Sequence, residues 1–258
     1  MPTLDISGTF LGIGRPKAIV PIMEADAKTL SEKACEAVKA GADIIEWRVD
    51  YFRDLSPVSL KDAGAKLKDA TSVPIIATLR TVSQGGRADV TDDSYEGIVG
   101  TLIESAPDLV DIEGTCEDYR THKLVGYAHR HGVRALISHH DFTATPAIPE
   151  MIRLLCSMAA RGADVAKLAV MATDASDPLR LMEATIRATE LVQVPLVTLA
   201  MGEAGAITRL AGESFGSAAT FCALSKASAP GQIPLGRAIH AMDALHEALA
   251  ESIGTKES

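Results

Sequence analysis

Aromatic residues are scarce in this chain: five Phe, four Tyr and a single Trp among 258 residues. Any core must therefore be filled by Ala, Val, Ile and Leu, and the apolar total of 47% is sufficient for that. Cysteine is sparse too. Cys35, Cys116, Cys156 and Cys222 are widely scattered, with no C-x-x-C pair and no His at ligand spacing, which points to reduced thiols and not to a metal site. No run approaches the ~18 apolar residues of a membrane span. Basic charge is in deficit, 25 Lys and Arg against 34 Asp and Glu, for a net charge of −9. That balance disfavours nucleic-acid backbones and anionic membrane surfaces as partners. The start, "MPTLDISGTFLGIG", has an early Asp5 and lacks the basic-then-apolar pattern of a signal peptide. The expected compartment is the cytoplasm.

Regular alternation of strand-like and helix-like segments is what the chain does have. After a leader readable as a hairpin (Leu4–Ile6 and Phe10–Ile13 around Gly8), short apolar runs cover 18–23, 43–49, 74–80, 109–113, 134–140, 165–170, 195–200 and 218–223. Each is followed by a helical pattern, over 27–40, 59–70, 93–106, 117–131, 147–161, 176–192, 205–211 and 235–250. Repeated βα units imply parallel strands with crossover helices. Eight of them in this length predict a closed (β/α)8 TIM barrel and not an open doubly wound sheet. The repeated "GAD" at 41–43 and 162–164 reads as an αβ turn with Gly just past a helix end. The expected organisation is one barrel domain over 1–258, with 1–16 an N-terminal extension and 252–258 a frayed tail.

Ligands of such barrels bind at the carboxyl ends of the strands, so polar residues late in apolar strands are the ones that matter. Glu46 and Arg48 end the second strand in phase with each other, Arg80 closes the third, Asp111 and Glu113 the fourth, and His140 the fifth. Lys167 interrupts the apolar "ADVAKLAVMA" of the sixth. Each has a structural explanation available: an internal Glu46–Arg48 ion pair, a satisfied core histidine, a lysine neutralised by a nearby Glu. The alternative for Lys167 is an amine nucleophile that forms a Schiff base with a ketone, its basicity depressed by apolar walls and by nearby Arg48 and Arg80. His140 then suits the acid–base role. Spacing alone leaves aldol cleavage and elimination both open.

The stretches "EWRVD" (46–50), "ATLRT" (77–81), "ISHHDF" (137–142), "KLAVM" (167–171), "ITRLAGESFGSAATF" (207–221) and "KASAPGQ" (226–232) closely resemble the type I 3-dehydroquinate dehydratase family of the shikimate pathway. The resemblance implies a Schiff base between Lys167 and the C3 carbonyl of 3-dehydroquinate. His140 would assist imine formation, take a proton from C2 and return it to the departing C1 hydroxyl, giving 3-dehydroshikimate and water. It further implies that Glu46, Arg48 and Arg80 hold the ring hydroxyls and that Arg209 binds the substrate carboxylate, while Ser228 and Gln232 close over the substrate. A metal-free, cofactor-free homodimer is implied as well. In the family a Glu after the paired Gly of the third βα loop orients the histidine, whereas "QGGRAD" here has Arg87 at that place. Glu113 is therefore expected to support His140, with Arg87 facing solvent or the substrate's polar edge and His139 facing the helices. Two rivals stand beside this reading: a Schiff-base aldolase of the class I type, and a catalytically silent metabolite-binding barrel.

Overall fold

The computed structural model describes residues 1–114 and 118–254. A two-stranded antiparallel hairpin comes first, β1 (Leu4–Ile6) and β2 (Thr9–Leu11). It reverses through Ser7 and Gly8, both at positive φ, as a two-residue hairpin turn requires. The chain then alternates β3 (Lys17–Ile22), α1 (Ala27–Lys39), β4 (Ile44–Arg48), α2 (Pro57–Ala70), β5 (Ile75–Thr78), α3 (Asp92–Glu104), β6 (Leu109–Glu113), α4 (Asp118–Arg130), β7 (Arg134–Asp141), α5 (Ile148–Ala160), β8 (Val165–Met171), α6 (Ser176–Thr189) and β9 (Leu196–Met201). Two short helices, α7 (Ala206–Leu210) and α8 (Gly212–Phe215), replace the single helix expected over 205–211. They lead into β10 (Ala219–Ala223), the two-residue β11 (Ile233–Pro234) and α9 (Leu235–Gly254).

The strands pair in parallel in the order β11-β10-β3-β4-β5-β6-β7-β8-β9. Closure into a barrel falls between β9 and β10, where the Ala218 N–H donates to Leu196 O at 2.7 Å. The Ser217 hydroxyl completes that seam: it accepts from the Thr198 N–H at 2.9 Å and donates to Thr198 O at 3.0 Å. A side chain thus supplies hydrogen bonds that a longer ladder would otherwise make.

Alternation along each strand sorts the core into two layers. Trp47, Leu79, Val110, Ile112, Ile137, Leu168 and Val170 face the helices. Ile19, Ile44, Ile76, Leu109, Leu136, Val165 and Val197 fill the interior near the amino ends of the strands, with Ile6 and Leu11 of the hairpin packed against them. The interior is apolar at this end, so charged side chains can accumulate only at the other. The helix ends follow the local sequence: Asp26, Ser56 and Thr91 cap α1, α2 and α3 through their side chains. Both "GAD" glycines, Gly41 at φ +99° and Gly162 at φ +89°, take the left-handed conformation just after their helices. The expected fray over 252–258 needs correcting in part, because α9 runs on to Gly254. Residues 255–258 and Cys116 lie outside the described residues.

Candidate active site

Four strands deliver side chains to the carboxyl end of the barrel. Glu46 and Arg48 come from β4, Asp111 and Glu113 from β6, Ser138 and His140 from β7, and Lys167 from β8. β5 ends at Thr78, so Arg80 stands just past it. The Lys167 side chain is only 4% exposed, in company with Glu46 at 3%, Arg80 at 3% and Asp111 at 1%. The Glu46–Arg48 ion pair offered by the sequence does not form as such. Arg48 binds Asp50 through two hydrogen bonds, at 2.8 Å and 2.7 Å, and Glu46 accepts from Thr78 Oγ1 at 3.0 Å.

Arg80 organises the wall. Its Nη1 donates to Glu113 Oε1 and to Ser138 Oγ, each at 2.9 Å, and its Nη2 donates to Asp111. Ser138 in turn donates to the other Asp111 oxygen at 2.6 Å. Lys167 is left loosely partnered. Its Nζ lies 3.6 Å from Asp111 Oδ2, 3.9 Å from Glu46 Oε1 and 4.0 Å from the centre of the Phe221 ring. Both carboxylate distances exceed a hydrogen bond, so the amine is attracted but not tied down. Burial lowers its basicity, Asp111 and Glu46 pull the other way, and Arg80 and Arg48 add to the lowering, with a net shift below the usual lysine value. Burial also holds His140 well below the ordinary histidine range, reinforced by Arg80, Lys167 and Arg48. Asp111 goes down in spite of burial, because Arg80 and Lys167 outweigh it.

Arg209 sits on α7, which Thr208 fastens to β9 by accepting from the Ala200 N–H at 2.9 Å. Arg209 is 1% exposed, and its guanidinium donates from Nη2 to Pro230 O at 2.9 Å, while Nε and Nη1 have no partner. Burial without a carboxylate lowers its pKa to about 10. A buried arginine with two unmet donors is a receptor for a planar anion. The "SAPGQ" loop folds across beside it. Gln232 Oε1 accepts from the Ser228 N–H at 2.8 Å, and Gln232 Nε2 donates to Ser228 Oγ at 2.9 Å.

All eight of Glu46, Arg48, Arg80, His140, Lys167, Arg209, Ser228 and Gln232 line one cavity, with an empty volume of about 450 Å³. The ninth expected residue does not join them. Glu113 is buried behind Arg80, where its carboxylate takes Arg80 Nη1, the Thr81 N–H at 2.9 Å and Thr81 Oγ1 at 2.6 Å. Both oxygens are engaged before they could serve the imidazole, so direct support of His140 by Glu113 is corrected. The group on His140 is Gln84, whose Oε1 accepts from the His140 N–H at 2.7 Å and lies 3.3 Å from Nδ1. Gln84, Asp50 and Ser138 were missed in the sequence. Ser138 had a signal, since it is two residues before His140 and therefore in phase with it. Arg87 is exposed and stacks on Tyr51, 4.1 Å from the ring centre. His139, half-buried, has opposite parity to His140 and feels Glu150 and Arg161 of the α5 segment. Among the described residues no group of three or more His, Cys, Asp or Glu could hold a metal ion, and no helix is long and apolar enough to cross a membrane.

Known proteins resemble the chain along nearly its whole length. The family model of type I 3-dehydroquinase matches residues 18–248. The 3-dehydroquinate dehydratases of Escherichia coli and Shigella sonnei are each 38% identical to it over 252 residues, covering 96% of this chain and 100% of theirs. A solved type I 3-dehydroquinate dehydratase from Clostridium difficile, with covalently modified comenic acid, superposes with a TM-score of 0.91 at 35% identity, covering 95% of this chain and 98% of that one. The 3-dehydroquinate dehydratase from Geobacillus kaustophilus gives 0.90 at 30% identity, with 96% and 99% covered.

Proposed function

Since the chain belongs to the type I 3-dehydroquinase family, we propose that it dehydrates 3-dehydroquinate to 3-dehydroshikimate through an imine on Lys167. The observation that carries this reading is a buried, loosely held amine in the same cavity as an arginine with unmet donors. A β-hydroxy ketone bearing a carboxylate, as 3-dehydroquinate is, engages both. The Clostridium difficile relative, solved with a covalently modified comenic acid, supports a covalent step.

Arg209 binds the substrate carboxylate with its fork, and Glu46, Arg48 and Arg80 take the ring hydroxyls. This fixes the C3 carbonyl against Lys167 Nζ. Lys167 first passes its ammonium proton to His140, and the neutral amine so formed, favoured by desolvation and by the two arginines, adds to C3. Loss of the carbinolamine hydroxyl as water, protonated through His140, leaves the protonated imine. That imine acidifies C2, so His140 removes a C2 proton and an enamine forms. The enamine electrons expel the C1 hydroxyl, which takes the proton back from His140 and leaves as water. Hydrolysis of the conjugated imine then frees the enone and restores Lys167. Ser228 and Gln232 close over the ring while the imine exists, which keeps bulk water from it. We read the working unit as a cytoplasmic homodimer on family grounds, a point that light scattering checks.

Borohydride added together with dehydroquinate tests the imine. Reduction should place a stable adduct on the Lys167 peptide, and Lys167→Ala should neither trap nor turn over. An adduct on a different lysine, or full activity in Lys167→Ala, would overturn the mechanism.

A further inference from the structure

Aromatic rings are scarce in this chain, yet Lys167 faces one inside the barrel. Among the described residues of the interior layer, Phe221 is the one buried aromatic; its buried companions are Ala, Val, Ile, Leu and Met201. Ala219 and Phe221, two apart on β10, turn into the barrel, while Cys222 packs with the layer that faces the helices. Leu136 and Leu199 show that an aliphatic side chain fills such a place, so packing alone gives no reason for a ring. Its centre lies 4.0 Å from Lys167 Nζ, well inside the ~6 Å over which an aromatic face attracts a cation. Phe221 is 6% exposed and Lys167 4%, and the attraction strengthens when both partners are out of water.

Other groups facing the amine come from several elements. Asp111 of β6 and Glu46 of β4 draw its charge, whereas Arg80 after β5 and Arg48 of β4 oppose it. On β7, His140 feels that charge, and Ser138 stands in register with Lys167; β9 sets only Val197 beside it. The two carboxylates lie beyond hydrogen-bond reach at 3.6 Å and 3.9 Å. Both already accept elsewhere, Asp111 from Arg80 and Ser138 and Glu46 from Thr78. Imine formation reduces what an acceptor could gain. An ammonium and a ketone give a protonated imine and water: C=N replaces C=O, the oxygen leaves with two of the nitrogen's three hydrogens, and the single positive charge remains. A hydrogen-bond acceptor loses donors in that exchange. A ring face does not, because it responds to the charge itself.

We infer that Phe221 is a catalytic residue whose ring face holds the positive charge of the Lys167 nitrogen, first as the ammonium of the free enzyme and then as the protonated imine. The second half rests on the proposed dehydration. Burial and the two arginines free the amine for attack. The ring works in the opposite sense, and its use comes after attack, when the nitrogen must stay cationic to acidify C2.

The test replaces Phe221 by mono-, di- and trifluorophenylalanine in the full-length enzyme, which keeps the outline of the ring while draining negative charge from its face. Nitrogen-15 NMR of lysine-labelled protein, with Lys167 assigned by difference from Lys167→Met, follows the ammonium in the absence of substrate. Borohydride trapping with dehydroquinate over a pH series follows the imine, since hydride reduces the protonated form. Each added fluorine should move the Lys167 titration and the alkaline limit of trapping to lower pH. Phe221→Leu should move both furthest, raising the acid dissociation constant of the ammonium about tenfold or more. A titration and a trapping limit that stay in place across the fluorinated series would overturn the inference and leave the ring with packing alone. Movement of the free-enzyme titration without the trapping limit would sink its part in the imine. Should Phe221→Leu fail to fold, the fluorinated series still decides. A wild type that traps no dehydroquinate would count against the dehydration, and the free-enzyme titration would still read the ring's hold on the ammonium.

Discussion

Arg209 shows what a single residue contributes by lacking a partner. Arg48 and Arg80 hold protein carboxylates, whereas Arg209 keeps two donors unmet inside the barrel, at a cost in burial that lowers its pKa to about 10. That cost is returned when a carboxylate arrives, so the residue should act in both binding and turnover. Arg209→Ala should lower kcat/KM by the worth of a charge-assisted bond, roughly 1.5–3 kcal/mol, or about 10–150-fold. Arg209→Lys should recover only part, because an ammonium lacks the planar fork. Steady-state kinetics on both variants check this, and unchanged kinetics would remove Arg209 from the site. Lys167 and His140 could be read from the sequence because each breaks an apolar strand at the end where barrels bind ligands. Gln84 and Asp50 could not. Each lies in a loop of ordinary polar composition; Gln84 acquires its role through His140, 56 positions away, and Asp50 joins Arg48, two positions back, to the Arg87 N–H, 37 positions on.

At the scale of elements, the αβ turns share a device that the "GAD" repeat only hinted at. Asp43 accepts from the Ala18 N–H at 2.7 Å, Asp108 from the Ile75 N–H at 2.9 Å and Asp164 from the Ala135 N–H at 2.8 Å. In each case the carboxylate before one strand ties down the beginning of the strand next to it. Strand starts in a parallel barrel have amide groups that the ladder reaches poorly, and a short acidic side chain satisfies them. The glycine of the repeat was legible as a helix stop; the aspartate was not, since its partner is about 25 to 33 positions distant. Asp164→Ala leaves the buried Ala135 amide without an acceptor and should cost about 1–3 kcal/mol, seen as a lower urea midpoint. Asp164→Asn keeps an acceptor and should recover much of it. KM should be unaffected in both, because the turn lies at the end of the barrel away from the cavity. A midpoint unchanged in Asp164→Ala would refute the device.

For the whole molecule, the distribution of charge governs how stability follows pH. The exterior makes the chain acidic at −9, while Arg48, Arg80, Lys167 and Arg209 gather inside the barrel mouth. The cluster holds His140 well below its ordinary value of 6.5, chiefly by burial and then by Arg80, Lys167 and Arg48. The unfolded chain therefore binds a proton at this histidine that the folded chain refuses. Stability must fall as pH drops below about 6.5, and it goes on falling until the folded-state pKa is reached. The slope from one such group approaches ~1.4 kcal/mol per pH unit. Asp111 acts in a second, lower window. Its folded pKa lies below 3.8, so the stability it contributes above that value is lost as pH falls through the folded pKa. Urea unfolding at a series of pH values separates the two. His140→Asn removes the first window, so its stability should decline less than that of the wild type as pH falls below 6.5, and the two curves should become parallel once the folded-state pKa of His140 is passed. Curves that run parallel across the upper window as well would mean that His140 accepts its proton as readily folded as unfolded, and that the cationic mouth does not act on it.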